Sequence, residues 1–116
     1  MPSNVLMFGW NRALVGRERM SSEHFAEFVG YLEGLQADGT IASHEIVLLE
    51  PHGGDLNGFF LVRGEPDRLD ALVGSDEWSR HMIRALMHLD RSGAVRGYGG
   101  EAVMQRMQVW RDHLPG

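Results

Sequence analysis

Cysteine is absent from the 116 residues, and so is lysine. Without a thiol the chain has no disulfide, no thiolate nucleophile and no sulfur ligand for a metal, and thiol usage gives no reading of its compartment. With lysine missing, all 11 basic residues are arginines, set against 16 acidic ones for a formal net charge of -5. An acidic balance with no basic run argues against nucleic acid or an anionic membrane as the main partner. A local arginine can still grip a carboxylate or phosphate bidentately. No apolar run approaches the ~20 residues that span a bilayer. The segment Met1-Pro-Ser-Asn4 lacks the basic region and long apolar stretch of a signal peptide, so a cytoplasmic location is the expectation. Internal repeats, low-complexity tracts and linkers are missing as well.

What is present is ordinary for a folded protein. Hydrophobic residues make up 43% and charged residues 23%, which sets disorder aside. The length fits one domain over residues 1–116, able to bury roughly two-thirds of the surface its unfolded form exposes.

The chain is organised around Ile41 to Gly64. Two apolar runs, Ile46 to Leu49 and Phe59 to Val62, flank Pro51-His-Gly-Gly-Asp-Leu-Asn-Gly58, the pattern of two strands joined by a turn. Before this hairpin, Val5 to Phe8 reads as a strand apolar on both faces and Asn11 to Met20 as a loop. Ser21 or Ser22 is placed to cap a helix whose apolar stripe is Phe25, Phe28, Val29, Leu32 and Leu35, with Gly39 ending it. The hairpin's first strand is expected from about Ile41. After the hairpin, Pro66 suits a first helical position. Gly74 interrupts that helix, and Ser75 recaps a second piece whose apolar face is Trp78, Met82, Ala85, Leu86 and Leu89. Ala94 to Tyr98 is a fourth strand, and Val103, Met107, Trp110 and Leu114 line a last helix. The order predicts an α+β fold, the split-βαβ or ferredoxin-like βαββαβ pattern with an antiparallel four-stranded sheet and an extra C-terminal helix.

Both faces of this sheet read as apolar. Leu6 and Phe8 oppose Val5 and Met7, and Phe60 and Val62 oppose Phe59 and Leu61. An antiparallel sheet covered by helices on one side normally alternates apolar with polar residues. The pattern therefore predicts a homodimer through the sheet face. The alternative is that the C-terminal helix folds across the second face.

Candidate site residues follow from chemistry. His44 shares a strand face with apolar neighbours, Glu45 points to the opposite face, and a structural histidine is the competing reading. His81 and His88 are seven apart, ~10.5 Å along a helix, too far for those two alone to share a metal ion. His81 with Glu77 is an i, i+4 pair that also serves the helix. His52, Asp55 and Asn57 sit on the glycine-rich turn, where function and turn chemistry ask for the same residues. Two ligands there without a third make no metal site. Arg96 and Tyr98 precede Gly99-Gly100 at a helix N-terminus that lacks dinucleotide-fingerprint or P-loop spacing, leaving a carboxylate contact for Arg96. Trp10, Trp78, Tyr98 and Trp110 can wall an aromatic ligand or simply fill the core. The serines form no nucleophile elbow.

The segment Ser75-Asp-Glu-Trp78-Ser-Arg-His81-Met82 is similar to the Ser-x-x-aromatic then His segment that opens the second helix in antibiotic-monooxygenase-like proteins. With the order of elements, it makes the chain resemble the dimeric α+β barrel superfamily, which includes antibiotic-monooxygenase-like, stress-responsive barrel and YCII-related members. The resemblance implies two four-stranded sheets packed face to face with helices outside. Haem-degrading relatives use a histidine on the second helix as iron ligand, to which His81 corresponds one residue early, a rotation of ~100°. YCII-related relatives pair a first-strand histidine with an Asp near the second helix. Asp76 matches the Asp, and Val5 to Trp10 holds no histidine.

Three functions follow as expectations. The first is binding of a small, partly apolar organic molecule between sheet and helices by Trp78, His81, His44, Arg96 and Tyr98, with no cofactor or metal. The second is a cofactor-independent monooxygenase, or a small isomerase or lyase, with His44 or His81 as general base. The third is a structural or interaction module without a ligand.

Overall fold

A computed structural model describes residues 2–115. The strands are β1 (Val5–Trp10), β2 (Arg12–Ala13), β3 (Ser43–Leu48), β4 (Gly58–Arg63), β5 (Leu89–Asp90) and β6 (Gly93–Gly97). The helices are α1 (Glu18–Ala37), α2 (Pro66–Val73), α3 (Asp76–Leu86) and α4 (Glu101–Asp112). Four strands form one antiparallel sheet in the order β3-β4-β1-β6, with β1 in the interior as its apolar sequence predicts. This is the expected split-βαβ arrangement, with α1 and the α2–α3 pair as its two crossovers.

Period-two alternation divides the sheet. Leu6, Phe8, Phe60 and Val62 face Phe28 and Leu32 of α1, Leu69 and Leu72 of α2, and Trp78 and Ala85 of α3, and together with Ile41 these form the buried core. The opposite face carries Val5, Met7, Val47, Phe59, Leu61 and Val95, none of which belongs to that core. An ion pair on this face, Arg63 Nη1 to Glu45 Oε1 at 2.9 Å, lies between diagonal cross-strand neighbours and is solvent-exposed.

Several local readings meet their physical reason here. Gly39 takes φ 83° just past the α1 C-cap Asp38, the left-handed residue that glycine tolerates best. Pro66 occupies the first turn of α2, and Ser75 Oγ accepts from Trp78 N at 3.3 Å to cap α3. Other expectations are corrected. α1 starts at Glu18, so Ser21 and Ser22 lie inside it, and its N-cap residue, Arg17, makes no side-chain capping bond, its guanidinium donating instead to Met87 O. The expected loop from Asn11 to Met20 contains β2 and the first turn of α1. β2 exists because β5 pairs with it, a tertiary partner that no periodicity of its own reveals. β3 begins at Ser43, with Ile41 buried ahead of it. α3 ends at Leu86, which is exposed, and Leu89 belongs to β5.

α4 overturns the alternative in which the C-terminal helix caps the second sheet face. None of its residues is buried, and Val103, Met107 and Trp110 are exposed. The molecule is elongated, 55 Å along its longest axis.

One glycine matters for the cavity described next. A Cβ at Gly58 would lie 2.6 Å from Trp10 Cζ2, closer than such atoms approach, because the indole lies across the glycine on the neighbouring strand. Gly58→Ala should cost about 1–3 kcal/mol by overpacking. Urea unfolding followed by tryptophan fluorescence measures it, and the native emission should shift as the Trp10 indole is displaced.

Candidate functional site

Between the helix-facing side of the sheet and α1 lies a cavity of about 390 Å³. Its wall is aromatic. Phe60 packs against Trp10 at 5.4 Å between ring centroids, Phe25 at 5.3 Å and Phe28 at 4.9 Å, and Phe8 lies 5.7 Å from Phe28. Leu48, on the edge strand, is 69% exposed and stands at the mouth. Polar groups reach the wall only at one end, from Ser21, Ser22, His24 and His88.

That polar end is the centre of a series of hydrogen bonds. Ser21 and His24 lie three apart on α1, and Phe28 and Tyr31 continue the same face. α3 presents Trp78, His81, Met82 and Ala85 to it. His88 has left α3 and is held by the β2–β5 pairing, where Leu14 N donates to His88 O at 2.8 Å. Ser21 Oγ stands 2.6 Å from His88 Nδ1, His88 Nε2 stands 2.7 Å from His24 Nδ1, and His24 Nε2 stands 3.0 Å from His81 Nδ1. His24 and His81 are coplanar within 7° with centroids 5.3 Å apart, while His24 and His88 are perpendicular at 85° and 5.0 Å. Each separation is what the N···N distance plus two ring radii gives, so the nitrogens meet head on. The rings bond in series, and no three histidine or acidic side chains among the described residues are arranged to hold a metal ion.

Two proton arrangements of opposite sense satisfy the series, and one of them also uses the His88 carbonyl. In that one Ser21 Oγ–H donates to the His88 carbonyl at 3.3 Å, which leaves His88 Nδ1–H to donate to Ser21 Oγ. His24 Nδ1–H then donates to His88 Nε2, and His81 Nδ1–H to His24 Nε2. All three rings are neutral in it. Burial keeps them so: His24 and His88 are only 4% and 2% exposed. Desolvation, then the nearby Arg84 guanidinium and the other two rings, push His24 down to about 4, partly offset by Glu27. His81 and His88 are also lowered, chiefly by burial, with Glu77 opposing the shift at His81. Tyr31 lies over His81 at 4.5 Å, and its hydroxyl is raised by burial.

Of the ligand-binding and catalytic candidates named from the sequence, His81 joins this series, together with His88, which was weighed there only as a metal partner, and Ser21, which was read as a helix cap. Trp78 is buried in the core beside it, 5.8 Å from Phe28, and does not line the cavity. His44 is at the sheet edge, its Nδ1 2.8 Å from Gln36 Oε1. Arg96 is paired with Asp70 of α2, and Arg106 of α4 donates to Tyr98 Oη at 3.3 Å. His52, Asp55 and Asn57 line a separate, open depression. There His52 Nε2 lies 2.7 Å from Leu56 O, Asp55 pairs with Arg91, and Asn57 Nδ2 donates to Asn11 Oδ1 at 2.6 Å. The predicted stripe is in register, with Phe28 and Leu32 buried and Val29 and Leu35 packed on the core, but an apolar stripe does not call for a histidine, and so His24 was missed. The spacing Ser21, His24, Phe28, Tyr31 was the available signal.

These features define an α+β protein with an aromatic cavity, open to solvent beside Leu48 and ended by an imidazole series. No family model and no curated protein matches the sequence. A dimeric protein of unknown function and ferredoxin-like fold from Bacteroides fragilis is similar in structure, with a TM-score of 0.57 and 13% identity over 82% of this chain and 95% of that one. The likeness shows the ferredoxin-like fold. No helix among the described residues is long and apolar enough to cross a membrane.

Proposed function

We propose that the chain binds a small, neutral, largely aromatic organic molecule in the cavity between Trp10, Phe60 and α1. The observation that carries this is the cavity's composition, an aromatic wall with its polar groups gathered at one end, which is how ligand sites fix orientation. An engineered apolar cavity of ~150 Å³ holds benzene, so a space of about 390 Å³ takes two or three rings. With no charged side chain in the wall, an ionic ligand would lose its hydration without a partner.

The test uses N-phenyl-1-naphthylamine, a neutral probe whose fluorescence rises in apolar surroundings. At ~0.3 kcal/mol per heavy atom, the expected dissociation constant is sub-millimolar. Ala13 lines the cavity from β2. Ala13→Trp should fill the space and weaken binding at least ~10-fold, the loss of about 1.4 kcal/mol. Equal binding by the two proteins, or none by the wild type, refutes the reading.

A second reading concerns assembly, and the open sheet face favours it. We infer that two copies pair through Val5, Met7, Val47, Phe59, Leu61 and Val95, sheet against sheet, as in a dimeric α+β barrel. Support comes from the apolar character of that face, from α4 leaving it uncovered, and from the dimeric state of the structurally similar protein. A symmetric pairing covers both faces with one kind of contact.

A further inference from the structure

The imidazole series has two ends in different surroundings. At one end Ser21, His24 and His88 border the cavity. At the other, His81 is partly exposed on α3. Joining them are three head-on contacts of 2.6, 2.7 and 3.0 Å, close enough for a proton to pass along each without any ring moving. Imidazole suits this because one nitrogen can take a proton as the other gives one up. The charged and titratable neighbours are few. Glu77 stands one turn before His81 on α3, the exposed Glu27–Arg84 pair closes the seam between α1 and α3 with Glu23 near Arg84, and Tyr31 covers His81.

We propose that Ser21, His88, His24 and His81 form a proton relay, making the cavity a site of acid–base catalysis on a neutral aromatic ligand that carries a C–H bond beside a carbonyl group. This rests on the cavity being the ligand site. A C–H bond beside a carbonyl is the substrate that reads such a relay most directly, because its proton, unlike one on oxygen or nitrogen, does not exchange with water unaided. The ligand class follows from the uncharged aromatic wall.

The step balances without an oxidant or co-reactant. In the arrangement opposite to the resting one, Ser21 Oγ–H donates to His88 Nδ1, His88 Nε2–H to His24 Nδ1, and His24 Nε2–H to His81 Nδ1. The ligand C–H bond breaks, its electron pair becomes the enolate double bond, and Ser21 Oγ takes the proton as its own passes to His88. One proton moves along each contact, and His81 releases one from Nε2 to water. Once the proton taken up by Ser21 Oγ has been replaced from water, running the series backwards delivers a solvent proton to the ligand carbon, giving the exchanged ketone, or to its oxygen, giving the enol. Ser21 touches the ligand, and His24 and His81 act through the groups between.

The experiment follows exchange of the benzylic methylene protons of phenylacetone in D2O by proton NMR, with the full chain. Wild type should accelerate exchange at least ~100-fold over buffer. His24→Gln and His81→Gln keep a hydrogen-bonding side chain that cannot shuttle a proton. Each should lose at least about tenfold in exchange rate while binding the probe within about twofold of wild type. Acceleration that survives both substitutions overturns the relay. A bound probe with no acceleration overturns it too and leaves the ligand site standing. If phenylacetone fails to bind while the naphthylamine binds, the ligand class is wrong. A readout in the wild type alone covers the case of variants that do not fold. With 15N-labelled histidine, the ring N–H of buried His24 should exchange with water about as fast as that of His81, and a His24 ring proton at least ~100-fold slower overturns the relay.

Discussion

Stability should fall by about 3 kcal/mol as the pH is lowered from 7 to 4, mostly on account of one buried ring. His24 is held down to about 4 in the fold, against an ordinary 6.5. In the unfolded chain it takes a proton near 6.5, so between those values protons favour the unfolded state. The contribution is whole above pH 6.5 and is lost as the pH falls through the window to about 4. His81 and His88, also lowered, add in the same direction. The lowered carboxylates Glu27 and Asp38 contribute only below the ordinary carboxylate value of 4.5 or less, so the histidine part stands apart from ordinary acid denaturation. Against a typical total of 5–15 kcal/mol this is a large fraction, and the thermal midpoint should drop by roughly 10 °C. Urea unfolding at stepped pH measures it, and His24→Gln should flatten the slope between pH 6.5 and 4.5. A wild-type profile already flat over that interval refutes the account.

The other large effect concerns the open sheet face. Leu61 sits near its middle, opposite Met7 on β1 and Glu45 on β3. Leu61→Arg places a guanidinium beside Glu45 within one copy, which a lone subunit tolerates well. In a sheet-to-sheet dimer the same group is buried on both sides of the two-fold axis without enough partners. We expect wild type to sediment as a dimer at micromolar concentration and the variant as a monomer. Its dissociation constant should rise at least ~100-fold, for a cost of about 3 kcal/mol per dimer. The far-UV circular dichroism of the subunit should not change. A wild-type monomer at these concentrations removes the assembly reading and leaves the cavity untouched.

The fold was legible because its signals are local. Apolar runs bounded by Gly, Pro and Asn gave β1 and the β3–β4 hairpin, Pro66 and Ser75 marked two helix starts, and alternation in Phe59 to Val62 separated the sheet faces. The site was harder to read because it is a tertiary object. His24, His81 and His88 come from α1, α3 and the β5 junction, and the last is positioned by a two-residue pairing too short to show any period. His81 was found through its neighbours Ser75 and Trp78. His24 was hidden inside a stripe of phenylalanines, where a polar residue reads as an interruption. His44, Arg96 and Tyr98 looked equally promising because charge and aromaticity say nothing of which element the side chain will meet. Each meets a partner outside the cavity.

The exposed helix α4 leaves the molecule with two separate resistances to disorder. Sheet and three helices share one cooperative core, whereas α4 hangs beyond Gly99 and Gly100, with Gly100 at φ 61° and no buried side chain to hold it. Segments lacking buried contacts open at little cost. Whatever order the tail helix keeps comes from its own backbone hydrogen bonds, and it should fray well before the core gives way.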